Sequence, residues 1–255
     1  MSKTVLILGG TGDARRLADN LVEQHGESLR VITSLAGRTT SPRQPSGEIR
    51  EGGFGGTEGL AKYLNDSPVD MLVDATHPYA AQISEHATNA ASMAGVPHLL
   101  FMRPEWSEQA SDDWMHVTSM TAAADALSVS AQIALITTGI QNLDAFTDVQ
   151  GPKLLVRLLE QPKSPLPFEN SEIIIGRPPY TLDGELALFK LMGIDTLVTK
   201  NAGGDATVAK VDATRQLGVR VIMIDRPPLP QDARIVDDIT QAQTWISREL
   251  SLTLD

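Results

Sequence analysis

Residues 5–16 read VLILGGTGDARR, and this stretch predicts the fold of the region around it. Four apolar residues run directly into a short turn made of Gly9, Gly10, Thr11, Gly12 and Asp13. The apolar spacing after the turn is helical. A buried strand, a glycine turn and a helix start expose backbone N–H groups and the positive end of a helix dipole, which suits a phosphate. Glycines also let a ligand approach the backbone closely.

The turn departs from the dinucleotide-binding pattern G-x-G-x-x-G at one position. Gly10 and Gly12 supply the first two glycines, but Arg15 occupies the place of the third. Glycine turns also close strand–helix joints that bind nothing, so this alternative stays open. We predict a phosphate site at the turn, with Arg15 as a candidate contact for an anionic group.

The composition indicates a soluble, acidic, globular protein. The 255 residues are 42% apolar, include no cysteine and carry a formal net charge of −11. A broad nucleic-acid surface needs clustered lysine and arginine, so the negative net charge disfavours that class of partner. No apolar run approaches the roughly 18 residues that span a bilayer. We expect a cytoplasmic monomer or weak homo-oligomer that binds neither nucleic acid nor membrane.

Short apolar runs alternate with helical stretches along the chain, which is typical of α/β folds with parallel sheets. Strands are expected at 5–8, 29–33, 69–73, 96–101, 132–136, 153–159, 172–175, 194–199 and 219–224. Helices are expected at 14–24, 57–65, 80–94, 141–149, 183–192, 204–217 and 237–249. We predict two Rossmann-like domains, 1–122 and 123–255, with 102–121 as a connector and a ligand cleft between the domains. A single larger sheet is the alternative.

The second predicted strand ends in a segment without a carboxylate: Ser34, Leu35, Ala36, Gly37 and Arg38. NAD-binding folds place an acidic residue near this point to bind the ribose 2′-hydroxyl. A serine and an arginine suit a 2′-phosphate instead, since arginine binds phosphate bidentately. The segment therefore favours NADPH over NADH. The alternative is that Arg38 and Arg43 are solvated loop residues.

Two further segments of the first half carry candidate ligand contacts. Residues 52–59 read GGFGGTEG, and this glycine density suits a backbone pressed against a planar ligand, although a mobile loop is the alternative. The candidate contacts there are Gly53, Gly55 and Gly56. The third strand ends in DATHPYA, where Thr76 is a candidate cofactor contact and His77 and Tyr79 are candidate proton donors. Alternatively, Thr76 caps a helix that begins near Pro78.

Strand ends in the second half carry glycines, small polar residues and cations. The candidate substrate contacts are Thr138, Gly139, Arg177, Lys200, Asn201, Gly203, Gly204 and Lys210. Cations at strand ends suit the carboxylates of a large anionic substrate, although any one of them alone is more often a solvated surface residue. No cluster of histidine or cysteine accompanies His77 and His86, so no metal site is predicted.

Six motifs together resemble the precorrin-6A reductase family. They are GGTGDARRLA at 9–18, TSLAGR at 33–38, GGFGG at 52–56, VDATHPYAAQIS at 73–84, TTG at 137–139 and TKNAGG at 199–204. The resemblance extends over nearly the whole chain, and the DATHPYA and TKNAGG motifs make it specific. Tyr79 stands where the family often has phenylalanine, Ala202 where many members have serine, and Ile140 where they have arginine.

The resemblance implies an NADPH-dependent enzyme that reduces one double bond of precorrin-6A to precorrin-6B in cobalamin biosynthesis. It implies two Rossmann-like domains, with NADPH at Gly9–Asp13, Ser34–Arg38, GGFGG and Thr76–Tyr79, and the anionic tetrapyrrole facing TKNAGG. Lys200 is the first candidate for electrostatic or proton-delivering catalysis, followed by His77, while solvent is an alternative proton source. A cobalt-containing substrate and a non-catalytic NADP(H)-binding regulator remain alternatives. A nucleotide-sugar enzyme is disfavoured because no tyrosine precedes a lysine by four residues.

Overall fold

The computed structural model describes residues 2–36, 44–231 and 233–252, and the chain divides into two compact units. The first unit extends to Arg103 and resumes at Pro227, whereas the second unit is Pro104–Arg226. This division differs from the predicted domains 1–122 and 123–255. The chain enters the second unit earlier than predicted, and its C-terminal segment belongs to the first unit because Ala242 and Ile246 pack into that unit's core.

The first unit is built on a six-stranded sheet in which every strand pairs in parallel. Its strands are β1 Lys3–Leu8, β2 Leu29–Leu35, β3 Glu48–Glu51, β4 Met71–Asp74, β5 His98–Phe101 and β12 Arg234–Val236. Their order across the sheet is β12-β5-β4-β1-β2-β3. Dinucleotide-binding folds have this order, and their ligand binds where the order reverses. In this unit the reversal lies between β1 and β4.

The helices of the first unit cover both faces of its sheet. They are α1 Gly12–His25, α2 Gly56–Asp66, α3 Ala81–Ala94 and α7 Ile239–Glu249. Successive side chains of a strand point to opposite faces. Val5 and Ile7 therefore pack with Leu17 of α1, whereas Leu6 and Leu8 pack with Leu60 of α2. A strand that is buried on both faces requires an unbroken apolar run, which explains the sequence from Val5 to Leu8.

Five strands of the second unit repeat the order of the first unit in a separate parallel sheet, whereas its edge strand β6 (Trp114–Val117) precedes the other five in the chain. Its strands are β6 Trp114–Val117, β7 Ile133–Ile136, β8 Lys153–Leu158, β9 Ser171–Ile175, β10 Thr196–Lys200 and β11 Arg220–Ile224, in the order β6-β11-β10-β7-β8-β9. Its helices are α4 Met120–Ser130, α5 Leu182–Met192 and α6 Ala209–Leu217. The order reverses between β7 and β10, which pair directly. Two parallel α/β units confirm the predicted fold class, and the single larger sheet is wrong.

Several predicted elements differ from the structure. The predicted connector 102–121 contains β6, and the predicted helix 141–149 is a 3₁₀ turn at Leu143–Phe146. Helix α6 begins at Ala209, after a 3₁₀ turn at Asp205–Thr207, rather than at 204. The edge strands β3, β6 and β12 were missed because edge strands are short and half-exposed, so their apolar runs are interrupted by charged or polar residues.

Candidate functional site

The glycine turn connects β1 to α1 and contacts the end of β4, which is the neighbour of β1 across the strand-order reversal in the first unit. Thr11 is the N-cap of α1, and its Oγ1 accepts a hydrogen bond from the backbone N–H of Ala14 at 3.0 Å. The same hydroxyl donates to the carbonyl oxygen of Ala75, just after β4, at 2.8 Å. Thr11 therefore fixes the N-terminus of α1 against the neighbouring strand end, where a dinucleotide fold binds its ligand.

Open space above this turn fits a phosphate-bearing cofactor. A Cβ built on Gly10 or Gly12 would meet no atom within 4 Å, and Gly10 has a φ of +103°. Gly9 differs, because a Cβ there would lie 2.8 Å from Cγ2 of Thr33. Gly9 is therefore required for packing against β2, whereas Gly10 and Gly12 leave the backbone open to a ligand.

The acidic residue of the turn lies within an ion-pair cluster. Asp13 pairs with Arg16 of the same helix and with Arg103, which follows β5. The side chain of Asp13 is 17% exposed. A carboxylate in the first turn of a helix is favoured by the helix dipole. Arg103 was not among the predicted residues, because a contact across 90 positions of sequence leaves no local signal.

The second glycine segment also faces open space at the predicted contacts. A Cβ on Gly53, Gly55 or Gly56 would meet no atom within 4 Å. Gly59 has a structural role instead, because a Cβ there would lie 1.7 Å from the carbonyl oxygen of Phe54. The glycine density at 52–59 thus has two causes, an open loop and a helix that packs closely on Phe54.

The loop is tied to the end of β2, where the sequence predicts the 2′-phosphate. The N–H of Gly52 donates to the carbonyl oxygen of Leu35 at 3.0 Å, and Nη1 of Arg50 donates to Oγ of Ser34 at 3.3 Å. Ala36 is exposed at the end of the described segment, and the predicted contacts Gly37 and Arg38, like Arg43, lie outside the described residues. Arg50 was not among the predicted ligand contacts, although it lies only two positions before the glycine segment that begins at Gly52.

Thr76 is held by Asp74 rather than capping a helix. The backbone N–H of Thr76 donates to Oδ1 of Asp74 at 2.9 Å, and its Oγ1 donates to the same atom at 2.6 Å. Helix α3 begins at Ala81 with no side-chain cap, so the predicted capping role of Thr76 near Pro78 is wrong. The Asp74 side chain is fully buried, and within the described residues its Oδ2 lacks a hydrogen-bond partner.

His77 and Tyr79 lie beside one another just after β4. The rings are 5.8 Å apart between centroids, and Nδ1 of His77 accepts a hydrogen bond from the N–H of Tyr79 at 3.3 Å. His77 is exposed and Tyr79 is half-buried. Both side chains therefore follow a strand that borders the reversal point, as the sequence predicts, and both are accessible enough to exchange protons with solvent.

Threonines and lysines lie at the ends of β7 and β10, where the strand order of the second unit reverses. Thr137 and Thr138 directly follow β7, Lys200 ends β10, and these strands are neighbours in the sheet. Thr138 is 6% exposed, and its Oγ1 lacks a hydrogen-bond partner among the described residues. Lys200 is half-buried, and burial lowers its pKa below the ordinary lysine value. Lys210 is buried below this edge, and its Nζ donates to Oγ1 of Thr137 at 3.2 Å.

Asn201, Gly203 and Gly204 support a neighbouring segment. The side-chain oxygen of Asn201 accepts from the N–H of Trp106 at 2.8 Å, and its amide nitrogen donates to the Trp106 carbonyl at 3.2 Å. The Trp106 indole donates to the carbonyl oxygen of Gly204 at 3.1 Å. A Cβ on Gly203 would lie 1.9 Å from the carbonyl oxygen of Pro104. These contacts give all three residues a structural role within the second unit.

The remaining predicted cations have acidic partners nearby. Nη1 of Arg15 lies 3.0 Å from Oδ2 of Asp19 on the same helix, and Nη2 of Arg177 lies 3.9 Å from Oε2 of Glu160. Arg177 is exposed, so solvent weakens this long ion pair. Gly139 has a φ of +82°, and a Cβ there would meet no atom within 4 Å.

Three exposed apolar side chains follow adjacent strands of the second unit. Ile140 lies beyond β7, Leu159 follows β8, and Ile175 ends β9, with exposed fractions of 55%, 48% and 49%. Parallel strands end at the same edge of a sheet, and neighbouring strands lie about 4.8 Å apart. The edge that carries Thr138 and Lys200 therefore also carries apolar side chains.

The described part of the chain shows neither a metal-binding cluster nor a membrane-spanning helix. No group of three or more histidine, cysteine, aspartate or glutamate side chains there is arranged to hold a metal ion. Among the helices of residues 2–36, 44–231 and 233–252, none combines the length and apolar character needed to cross a bilayer.

Comparison with known proteins identifies similar chains over nearly the full length. Residues 4–247 match the family model described as precorrin-6x reductase CbiJ/CobK. The chain is 44% identical to the precorrin-6A reductase of Rhodococcus erythropolis, over 95% of this chain and 96% of the relative. It is 28% identical to the cobalt-precorrin-6A reductase of Priestia megaterium, over 88% and 91%. A solved CobK precorrin-6A reductase superimposes with a TM-score of 0.90 and 38% identity, covering 97% of each chain.

Proposed function

Because the chain belongs to the precorrin-6x reductase CbiJ/CobK family and is an oxidoreductase, we propose that it reduces precorrin-6A to precorrin-6B with NADPH. The proposed substrate rests on the 44% identity, over 95% of this chain, to a relative named precorrin-6A reductase. The open glycine turn at the strand-order reversal of the first unit supports a dinucleotide as the reductant. This assignment replaces the non-catalytic regulator that the sequence left open.

The residues of the first unit fit NADPH in three places. Gly10 and Gly12 leave room for the pyrophosphate at the N-terminus of α1, which Thr11 fixes in position. Ser34 and Arg50 lie together where the adenosine ribose of a dinucleotide fold is bound. Thr76 and His77 follow β4 and would border the nicotinamide. When bound, NADPH would supply the hydride, and hydride transfer in general requires donor and acceptor carbons about 3–3.5 Å apart.

The strand-end residues of the second unit fit a macrocycle with carboxylate substituents. Ile140, Leu159 and Ile175 offer apolar surface to the ring, while Lys200 and Arg177 offer positive charge to carboxylates. The net charge of −11 makes such local cations necessary for an anionic substrate. Four other predicted contacts support substrate binding only indirectly in this proposal, because they hold the segments that follow the strands in place. They are Asn201, Gly203, Gly204 and Lys210.

Lys200 is the proposed source of positive charge or of a proton at the reacting bond. Reduction of a C=C bond adds a hydride to one carbon and a proton to the other. Burial lowers the pKa of Lys200, which brings the ammonium closer to the range where general acids work well. His77 and Tyr79 are second candidates in the first unit, and solvent is the alternative donor.

The decisive experiment measures NADPH oxidation when precorrin-6A is added to the purified protein under anaerobic conditions. The absorbance of NADPH should fall in step with formation of a product two mass units heavier than the substrate. NADH in place of NADPH should give slower oxidation. No oxidation of either cofactor with an intact substrate would refute the proposal.

Cobalt-precorrin-6A is the second candidate substrate. Three relatives named cobalt-precorrin-6A reductase are 26–28% identical to this chain, whereas the precorrin-6A reductase of Rhodococcus erythropolis is 44% identical. The identity therefore favours the metal-free macrocycle. Parallel assays with both macrocycles decide between them, and a higher kcat/KM for the cobalt form would reverse the assignment.

A further inference from the structure

Arg50 lies directly opposite Ser34 across the edge of the first sheet. The two residues are partners in the register of β2 and β3, and Nη1 of Arg50 donates to Oγ of Ser34 at 3.3 Å. Nη1 also donates to the carbonyl oxygen of Gly52 at 2.5 Å, and Nη2 donates to that of Gly53 at 3.0 Å. One side chain thus joins the end of β2 to the glycine segment.

Two aromatic rings hold the guanidinium of Arg50 in place. Its central carbon lies 3.7 Å from the ring centroid of Phe54 and 5.2 Å from that of Tyr63. The rings meet edge to face, with centroids 5.2 Å apart. A planar guanidinium stacks well on aromatic rings, and this arrangement reduces the rotamer freedom that binding would otherwise remove. Arg50 is therefore preorganised before any ligand arrives.

Among the described residues, no carboxylate neutralises the positive charge of Arg50. Within the described part of the chain Arg50 forms no ion pair, whereas Arg30 on the same strand pair binds Glu48 with two hydrogen bonds. A guanidinium has five N–H donors, and the hydrogen bonds to Ser34, Gly52 and Gly53 engage three. Ser34 accepts from Arg50, so its own hydroxyl hydrogen suits an anionic oxygen.

We propose that Arg50 binds the 2′-phosphate of NADPH together with Ser34, and thereby determines the preference for NADPH over NADH. The proposal rests on the proposed function for the presence of the cofactor. The end of β2 is where a dinucleotide fold holds the adenosine ribose, and the segment from Thr33 to Ala36 holds no carboxylate to repel a phosphate. The sequence assigns this role to Arg38, and the geometry adds a second, fixed cation on β3.

The test measures dissociation constants without the macrocycle, by fluorescence titration with NADPH and NADH and by calorimetry with adenosine 2′,5′-bisphosphate. Arg50→Gln removes the charge of Arg50, and Arg50→Lys keeps that charge without the planar guanidinium. The control Arg30→Gln also removes one positive charge, but near the start of β2, at the other end of the strand from Ser34. A charge-assisted hydrogen bond contributes roughly 1.5–3 kcal/mol. We therefore expect Arg50→Gln to weaken NADPH and the bisphosphate about 10- to 100-fold, with NADH affected less than about threefold.

The controls separate phosphate recognition from loop support. Arg50→Lys should fall between wild type and Arg50→Gln, and Arg30→Gln should leave the ratio of the two dissociation constants unchanged. Equal weakening of NADPH and NADH by Arg50→Gln would overturn the proposal, since it would indicate loop support alone. The proposal would also be overturned if Arg50→Gln left the ratio of the NADPH and NADH dissociation constants unchanged while Arg38→Ala abolished the preference for NADPH. A wild type that binds neither dinucleotide would instead refute the proposed cofactor.

Discussion

Lys210 should make the stability of the protein depend on pH in a window where most surface lysines have no effect. Its side chain is buried on α6, and burial lowers its pKa from 10.5 to about 7. The positive charge of Arg157 lowers the pKa further, while the negative charge of Glu185 opposes this effect. The Nζ hydrogen bond to Thr137 and the Trp106 ring, 5.2 Å away, leave the amine without a carboxylate contact among the described residues.

The direction and size of this pH dependence follow from the difference in bound protons between the folded and unfolded states. Between pH 7 and pH 10.5 the unfolded lysine holds a proton that the folded lysine has lost, so stability rises with pH. Below pH 7 both states are protonated, and the folded state carries the full cost of the buried charge. One proton corresponds to about 1.4 kcal/mol per pH unit. From pH 7.5 to pH 9.5 the free energy of unfolding should therefore rise by about 2.5 kcal/mol on account of Lys210.

Comparison with Lys210→Met isolates this contribution. Methionine preserves the unbranched stem, and its loss of the Thr137 hydrogen bond affects all pH values alike. The free energies of unfolding of wild type and variant, from urea titrations at several pH values, should differ most in favour of the variant near pH 7. The difference should then decline by about 2.5 kcal/mol between pH 7.5 and pH 9.5.

The matched control is Lys190→Met, which alters an exposed lysine on α5. An exposed ammonium keeps its hydration in both states, so the difference between this variant and wild type should not follow the same trend with pH. A difference between wild type and Lys210→Met that stays constant from pH 7.5 to pH 9.5 would refute the reasoning, because it would mean that Lys210 stays protonated when folded.

Three further outcomes are expected. Lys200→Ala should lower kcat/KM for precorrin-6A about 100-fold or more while the dissociation constant of NADPH stays within twofold, and an unchanged kcat/KM would remove Lys200 from the mechanism. Gly12→Ala should weaken NADPH binding with little change in Tm, whereas Gly59→Ala should lower Tm, because only Gly59 is packed against a carbonyl oxygen; the reverse pattern would contradict the assignment of the open space. Glu185→Gln should lower the free energy of unfolding by roughly 3–5 kcal/mol, measured by urea titration, because the buried Arg157 loses its two-bond partner. A cost below about 1 kcal/mol would show that this pair is not desolvated.

The sequence predicted the parts of the fold that depend on neighbours along the chain. The apolar run from Val5 to Leu8 is buried on both faces of a sheet, as its unbroken pattern requires. The glycine turn begins α1 as predicted, with Thr11 as its cap. The strand ends after β4, β7 and β10 also agree with the prediction, since polar residues follow each apolar run directly. These features reflect periodicity and turn chemistry, which are local properties.

The tertiary structure alone decided which distant residues meet and what each one does. It placed β12 beside β5, Arg50 beside Ser34 and Arg103 beside Asp13, and these contacts leave no local pattern because crossover connections bring remote segments together. It also separated residues that look alike in sequence. Lys200 remains half-exposed while Lys210 is buried, because one ends a strand and the other faces inward from a helix. Composition and spacing determined the class of protein, whereas packing decided which glycines border open space and which cations face the core.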